Sequence, residues 1–520
     1  MPNFKSYDYN QSSMVVINYQ DQLQVGTFEH AIHYLVSERM DLSAFHPKYK
    51  NDLGGRAAYD PAILLKIILF AYSKGITSSR EIEWCCRTNI IFKALSCDTV
   101  PHFTTIANFV SSYPKAMEAL FEQVLLICHE EGLLGNELFA IDGCKMSSNA
   151  AKEWSGTFSE LEQKREKIQR QIQHCMKEHK KLDRRRSDER ERAKRLDQMC
   201  NTLDKASEKI ERFLKRACPR MGQGKRLKEV KSNITDNGSC KMTTSKGTIQ
   251  GYNGIAAVDK KHQIVVEAKV FGEGQEHHTL KPVLESLSER YRRTGISKDL
   301  YKTKVIVTAD TGFSNDENNR YLKENKINAY IPDNAFRSRD PKFKDQKTKY
   351  GKRHQDKPKI RDVIPASEFS FDPEKMICIC PAGERLSFYG QRSDINGQAT
   401  AYFAGRLSQC RHCDIKSQCM HNPSSADLRT GAGRQVSFQI TGQRKRTATD
   451  WMKRRVDSRV GKQIYSHRMS VVEPVFGNIG TNKGLNRFSL RGKEKVQGQW
   501  QLFCMIQNIE KLMRYGDIPA

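Results

Sequence analysis

At 520 residues the chain is too long to be served by one hydrophobic core, and three or four modules are expected. Its 87 Lys and Arg outnumber 60 Asp and Glu, for a net charge of +27 and a pI near 9.5, which points to a polyanionic partner. A membrane span is excluded: the most apolar run, Ala62 to Ala71, falls short of the roughly 20 residues a span needs and carries Lys66. The N-terminus, Met1-Pro2-Asn3-Phe4-Lys5, lacks the layout of a secretory signal. A cytoplasmic protein is expected, with its 15 cysteines as reduced thiols or metal ligands.

Residues 1–130 read as helical. Asp60-Pro61 supplies an N-cap and a first-turn proline, and the apolar run that follows stops at Lys74-Gly75. Ser78-Ser79-Arg80-Glu81 reads as a capping box opening a second helix. A third, short helix follows Pro101, with His102, Thr104 and Thr105 as candidate DNA-contacting side chains of a helix-turn-helix. A small bundle that only packs has the same pattern.

Between Ser159 and Arg216, Leu161, Ile168, Cys175, Leu182, Leu196, Leu203 and Ile210 keep a seven-residue spacing that Glu189 alone breaks. The break predicts an antiparallel helical hairpin with arms near 159–182 and 190–216. Residues 161–230 hold 23 basic and 12 acidic side chains, which suits either DNA contact or a solvated surface.

Around this insertion lies a strand-rich pattern. Residues 137–145, 247–258, 264–270, 304–310 and 328–332 read as strands, and 277–293 and 315–325 as helices. The order β-β-β-α-β-α-β predicts an α/β core with a ribonuclease H-like mixed sheet. Asp142 and Asp310 stand in its first and fourth strands, where β-branched runs meet a carboxylate that needs a partner or a metal. His277 and His278 read as surface or capping residues.

Residues 333–465 look irregular and basic, with Lys344, Lys347 and Lys349 among the charges. Within them Cys380, Cys410, Cys413 and Cys419 make a candidate zinc set, with Cys378 and His421 as alternates. Beyond, Glu473-Pro474 is expected to open a helix, a basic loop carries Lys483, Arg487, Arg491 and Lys493, and a last helix spans about 496–515. Two aspartates and this glutamate in a strongly basic chain suit Mg²⁺ held beside a polyanion.

Ala140-Ile141-Asp142-Gly143, Gln250-Gly251-Tyr252-Asn253, Ala309-Asp310-Thr311-Gly312-Phe313 and Val472-Glu473-Pro474-Val475-Phe476-Gly477-Asn478-Ile479, in this order, resemble a DDE-type insertion-sequence transposase of the group related to the IS4 and IS5 types. The resemblance implies catalytic Asp142, Asp310 and Glu473 binding two Mg²⁺ or Mn²⁺ ions. It also implies double-stranded DNA as substrate, strand cleavage followed by 3′-end transfer, and a homodimer or larger assembly on DNA in the bacterial cytosol, associated with the nucleoid. Relatives carry Tyr-x2-Arg-x3-Glu-x6-Lys. Here Arg468 precedes Glu473 by four intervening residues, and nine separate Glu473 from Lys483, so Arg468 and Lys483 as DNA-gripping residues rest on an altered spacing. The expected modules are an N-terminal helical DNA-binding domain (1–130), the core (131–155 and 231–332), the inserted hairpin (156–230), the cysteine-containing insertion (333–465) and the C-terminal part of the core (466–520). Two other functions share these features: a DNA-binding protein derived from a transposase, and a metal-dependent nuclease that does not join strands. A zinc-ribbon regulator without catalysis leaves the carboxylates unexplained.

Overall fold

The computed structural model describes residues 16–49, 54, 57–182, 190–222, 227–245, 247–343, 363–393, 399–440 and 446–519. The chain divides into two compact units. The first takes the chain up to Ser314, Tyr321–Ile331 and everything from Val460; the second takes Asn315–Arg320 and Pro332–Arg459.

The first unit begins with helices α1 (Phe28–Tyr34), α2 (Pro61–Ser73), α3 (Ser79–Thr88), α4 (Ile90–Ser96), α5 (Phe103–Ser112) and α6 (Pro114–Glu130). Asp60 caps α2 as its sequence implies, accepting the Ala62 N–H at 2.7 Å, and Gly75 ends it with φ +77°. The capping box expected at α3 is absent, because the Ser78 side chain makes no cap bond. Glu83 instead accepts the Phe103 N–H at 2.9 Å, tying α3 to the start of α5.

The central sheet contains β1 (Leu138–Ser147), β2 (Cys240–Thr244), β3 (Gly247–Asp259), β4 (Val265–Phe271), β5 (Ile306–Ala309) and β6 (Asn328–Tyr330). Its order is β6-β5-β1-β3-β2, with β4 also on β3. β1 runs parallel to β5 and antiparallel to β3, and β5 runs parallel to β6. Between β1 and β2 the chain leaves the sheet as two long helices, α7 (Phe158–Leu182) and α8 (Arg190–Arg216). Leu161, Ile168, Ile172 and Ile210 bury a seam between them, and Arg165 pairs with Glu211 at 2.9 Å. The turn expected around Glu189 lies outside the described residues, as do Lys344, Lys347 and Lys349.

Helices α9 (Leu280–Arg293), α10 (Arg459–Gly477) and α11 (Lys493–Tyr515) complete this unit. α11 is its spine. Trp500, Phe503, Cys504 and Ile506 are fully buried, and Tyr72 of α2 stacks on Phe503. The α11 amides also satisfy β4: Asn508 brackets Val265 N–H and C=O at 2.7 and 2.8 Å, while Gln497 takes Val270 N–H and Ala268 C=O, both at 2.7 Å. Side-chain amides thus cover backbone groups that would otherwise form an open sheet edge.

The second unit was expected to be irregular, and it is not. It holds an antiparallel meander of β7 (Ser370–Asp372), β8 (Ile377–Ile379), β9 (Arg385–Ser393), β10 (Ala399–Ala404) and β11 (Gln435–Gln439), paired in sequence order. Phe369, Cys378, Leu386, Ala401, Phe403, Cys419 and Val436 form its small core. The alternation is faint in the sequence because β10 buries two alanines and one Phe, and β9 buries only Leu386. Residues 460–465, expected with this insertion, pack with the first unit.

Candidate active site

β1 and β5 lie side by side with Ile141 opposite Ala309. One residue further along each strand stand Asp142 and Asp310. Neighbouring parallel strands in register point such side chains the same way, which is how carboxylates 168 positions apart in sequence become neighbours. Asp142 lies inside β1 rather than at its end, and its Oδ1 accepts the Gly143 N–H at 2.9 Å.

The counter-charge comes from α10. Arg468 is buried, with Nη1 2.7 Å from Asp142 Oδ2 and Nη2 3.7 Å from Asp310 Oδ1. The Tyr465 hydroxyl, one turn earlier, is 3.5 Å from Asp310 Oδ1. Burial raises the Asp142 pKa above its ordinary 3.8, although the Arg468 charge and the Gly143 N–H pull it down. For Arg468, burial disfavours the charge, but Asp142 outweighs it and the guanidinium is held more firmly protonated. Arg468 therefore serves these carboxylates, which corrects its expected role at a DNA-facing surface.

Glu473 does not open a helix. It lies well inside α10, with Pro474 in the helix interior, because the turns from Arg459 onward continue through it. It is exposed and makes no ion pair among the described residues. It stands five positions after Arg468, a rise of about 7.5 Å along the helix. Among the described residues, no three His, Cys, Asp or Glu side chains gather as a metal-holding group. The expected three-carboxylate cluster is therefore represented by its two aspartates, bridged by a guanidinium.

A carboxylate that the sequence reading passed over stands nearby. Glu276, in a short 3-10 turn before α9, is largely buried and lies 3.6 Å from Lys145 Nζ. Its pKa is raised above 4.5, first by burial, against Lys145, and then by the negative charges of Asp142 and Asp310. No periodicity marks it; the flanking Gly274-Gln275 and His277-His278 give no strand or helix signal.

Of the basic residues expected to contact DNA, Lys483 is buried and pairs with Glu510 at 2.7 Å, so its charge is spent inside the fold. Arg487, Arg491 and Lys493 are exposed. Arg487 donates to Ser148 C=O at 3.2 Å and Arg491 to Asn149 C=O at 2.7 Å, which anchors their loop beside the end of β1. In the N-terminal helices, His102 serves as the α5 N-cap and its Nδ1 is 2.7 Å from Thr104 Oγ1; Thr105 is partly exposed.

In the second unit Cys378 and Cys419 both sit in the apolar core, with Cys380 packed against it. Cys380, Cys410 and Cys413 lie close enough to Cys419 for their charges to act on it, though burial is the larger cause of its raised pKa. Gly405 and Gly433 leave room for the Cys410 sulfur, which a Cβ at either position would meet at 2.6 and 2.9 Å.

Residues 17–112 match a Transposase domain (DUF772), and residues 379–513 match a Transposase DDE domain. The second match runs across the meander, Arg468, Glu473 and α11, while Asp142 and Asp310 lie outside both. No curated protein matches the chain. Both matches are to transposase domains, and together they support an insertion-sequence DDE transposase.

Proposed function

We propose that this transposase binds the ends of its mobile element, hydrolyses a phosphodiester there and transfers the freed 3′ end to target DNA. The observation that carries the reading is the Asp142–Asp310 pair on neighbouring parallel strands, held by Arg468. The sheet order β4-β3-β1-β5-β6, with the first three strands antiparallel and the last two parallel to β1, supports a ribonuclease H-like core.

Two carboxylates that require a cation suit Mg²⁺ or Mn²⁺, which prefer hard oxygen donors. Asp142 and Asp310 would hold the metal, with Glu473 supplied as a third ligand by family resemblance. Held there, divalent metal would supply the positive charge that activates the attacking oxygen and stabilises the leaving one. The protein's own part is to hold both aspartates on rigid strands and to keep their charges compensated by Arg468 until DNA and metal arrive. Exposed Arg487, Arg491 and Lys493 suit phosphate contacts near the end of β1. Joining two element ends calls for at least two copies on DNA, and the reaction belongs in the bacterial cytosol. No helix among the described residues is long and apolar enough to cross a membrane.

The test is cleavage of supercoiled plasmid carrying the element's ends, with Mg²⁺ or with EDTA, for the wild type and for Asp142→Ala, Asp310→Ala and Glu473→Ala. Metal-dependent cuts at the ends, lost in each variant while DNA binding persists, support the reading. Cuts without joined products would favour a nuclease, and binding without cuts a DNA-binding relative. Substantial residual cleavage in one variant removes that residue from the site.

A further inference from the structure

We propose that Cys175 and Cys200, one on each arm of the inserted helical hairpin, are a redox-sensitive modification site that a low-molecular-weight disulfide converts into an intramolecular disulfide bond.

The register of the two arms brings them together. Arg165 of α7 pairs with Glu211 of α8 at 2.9 Å, and His179 Nε2 lies 3.2 Å from Asp197 Oδ1. Fourteen residues forward along α7 are thus fourteen back along α8, as two antiparallel helices require. Ten residues on from Arg165 stands Cys175, and the same step back from Glu211 reaches Asn201, next to Cys200. Both cysteines belong to the seam. Ile168, Ile172 and Cys175 are buried at spacings of four and three along α7, while Cys200, Leu203, Ser207 and Ile210 keep spacings of three, four and three along α8. Seam side chains of facing helices point at one another, the direction a disulfide needs, with its Cβ atoms about 4 Å apart.

The side chains meet as the register requires. The Cys200 thiol is within hydrogen-bonding reach of the Cys175 sulfur. Cys175 is only 5% exposed, whereas Cys200 is partly open to solvent. Burial, then Cys175 and the carboxylates Asp204 and Asp197, raises the Cys200 pKa above its ordinary 9.0, so the pair rests as thiols.

Exchange starts at Cys200, the thiol that solvent reaches. Its thiolate attacks one sulfur of the small disulfide, whose S–S bond breaks to release one small thiol and leave a mixed disulfide on Cys200. The Cys175 thiolate then attacks the Cys200 sulfur and expels the second small thiol. Both protein sulfurs are oxidised, the small disulfide is reduced, and the two protons lost by the cysteines end on the released thiols. The product ties the two arms of the hairpin together.

The experiment incubates the reduced full chain, under native conditions and free of added reductant, with oxidised glutathione. Remaining thiols are blocked with N-ethylmaleimide, and tryptic peptides are mapped by mass spectrometry. Trypsin places Cys175 in residues 171–177 and Cys200 in residues 196–205. These two peptides are expected to be joined in most chains, with loss of both free thiols, and to separate under dithiothreitol. Cys175→Ser should stop at a glutathione adduct on Cys200, and Cys200→Ser should leave Cys175 free. The wild-type map decides even where a variant folds poorly. A lasting glutathione adduct on wild-type Cys200, its linkage to another cysteine or to a second copy, or two thiols left unreacted overturns the proposal.

Discussion

The Arg468 guanidinium donates to the Asp142 carboxylate at 2.7 Å across 326 residues of sequence, and its other arm stands 3.7 Å from Asp310. A fixed cation thus lies between the two carboxylates that a divalent ion would need. Removing it strands two like charges in a largely buried place. Arg468→Met is expected to lower stability by about 3 kcal/mol, the range for breaking one side of a buried pair. Because Mg²⁺ can replace the lost charge, part of that loss should return when Mg²⁺ is added. Urea unfolding with and without Mg²⁺ checks this; an equal Mg²⁺ response in wild type and variant would count against a metal at this pair.

A second expectation concerns β1 and β3. Gly251 lies opposite Ser147, and a Cβ there would overlap the Met146 carbonyl oxygen, a backbone atom that cannot rotate away. Gly251→Ala should cost at least about 1–3 kcal/mol. Gly480, with open space around its Cβ in a helical segment, should accept Ala without loss. Denaturant midpoints of the two variants make the comparison.

Acid stability should carry a mark from the N-terminal helices. His33 has its pKa lowered below 6.5, first by burial and then by Lys66, whose Nζ is 3.3 Å from His33 Nδ1. The unfolded chain therefore binds the proton more readily than the folded one. Stability contributed by neutral His33 is complete above pH 6.5 and falls as pH drops from there to the lower folded value. His33→Gln should narrow the loss on acidification across that window. Equal slopes of stability against pH in wild type and variant would contradict it.

The thiols make a fourth case. If Cys380, Cys410, Cys413 and Cys419 hold zinc, as their sequence spacing suggests, protein purified under reducing conditions should carry one zinc per chain by elemental analysis. Cys413→Ser should abolish it. Zinc-free wild-type protein that folds normally would return these residues to the role of small buried side chains.

Much of the sheet is readable from residue pattern alone. β1, β3, β4 and β5 are runs of β-branched and apolar residues that only a buried strand explains, and the heptad spacing of Leu161, Ile168 and Ile210 reports the helical pair. The meander of the second unit was not legible, because its strands are short, half exposed and rich in Ala, Ser and Gln. Arg468 and Lys483 show a different limit. Both are basic residues in a C-terminal basic region, but burial turns one towards Asp142 and the other towards Glu510.

By itself the sequence carried the transposase resemblance and the helical and strand character of the first unit, since each depends on local spacing or on a motif contiguous in the chain. Tertiary structure alone decided which charges meet. It placed Asp142 and Asp310 side by side through the β1–β5 register, set Arg468 between them, and brought Glu276 in beside Gly312, while leaving Glu473 on an exposed turn of α10. The physical reason is that the strength of a charge contact depends on distance and burial, and residues far apart in the chain acquire both only when the sheet closes.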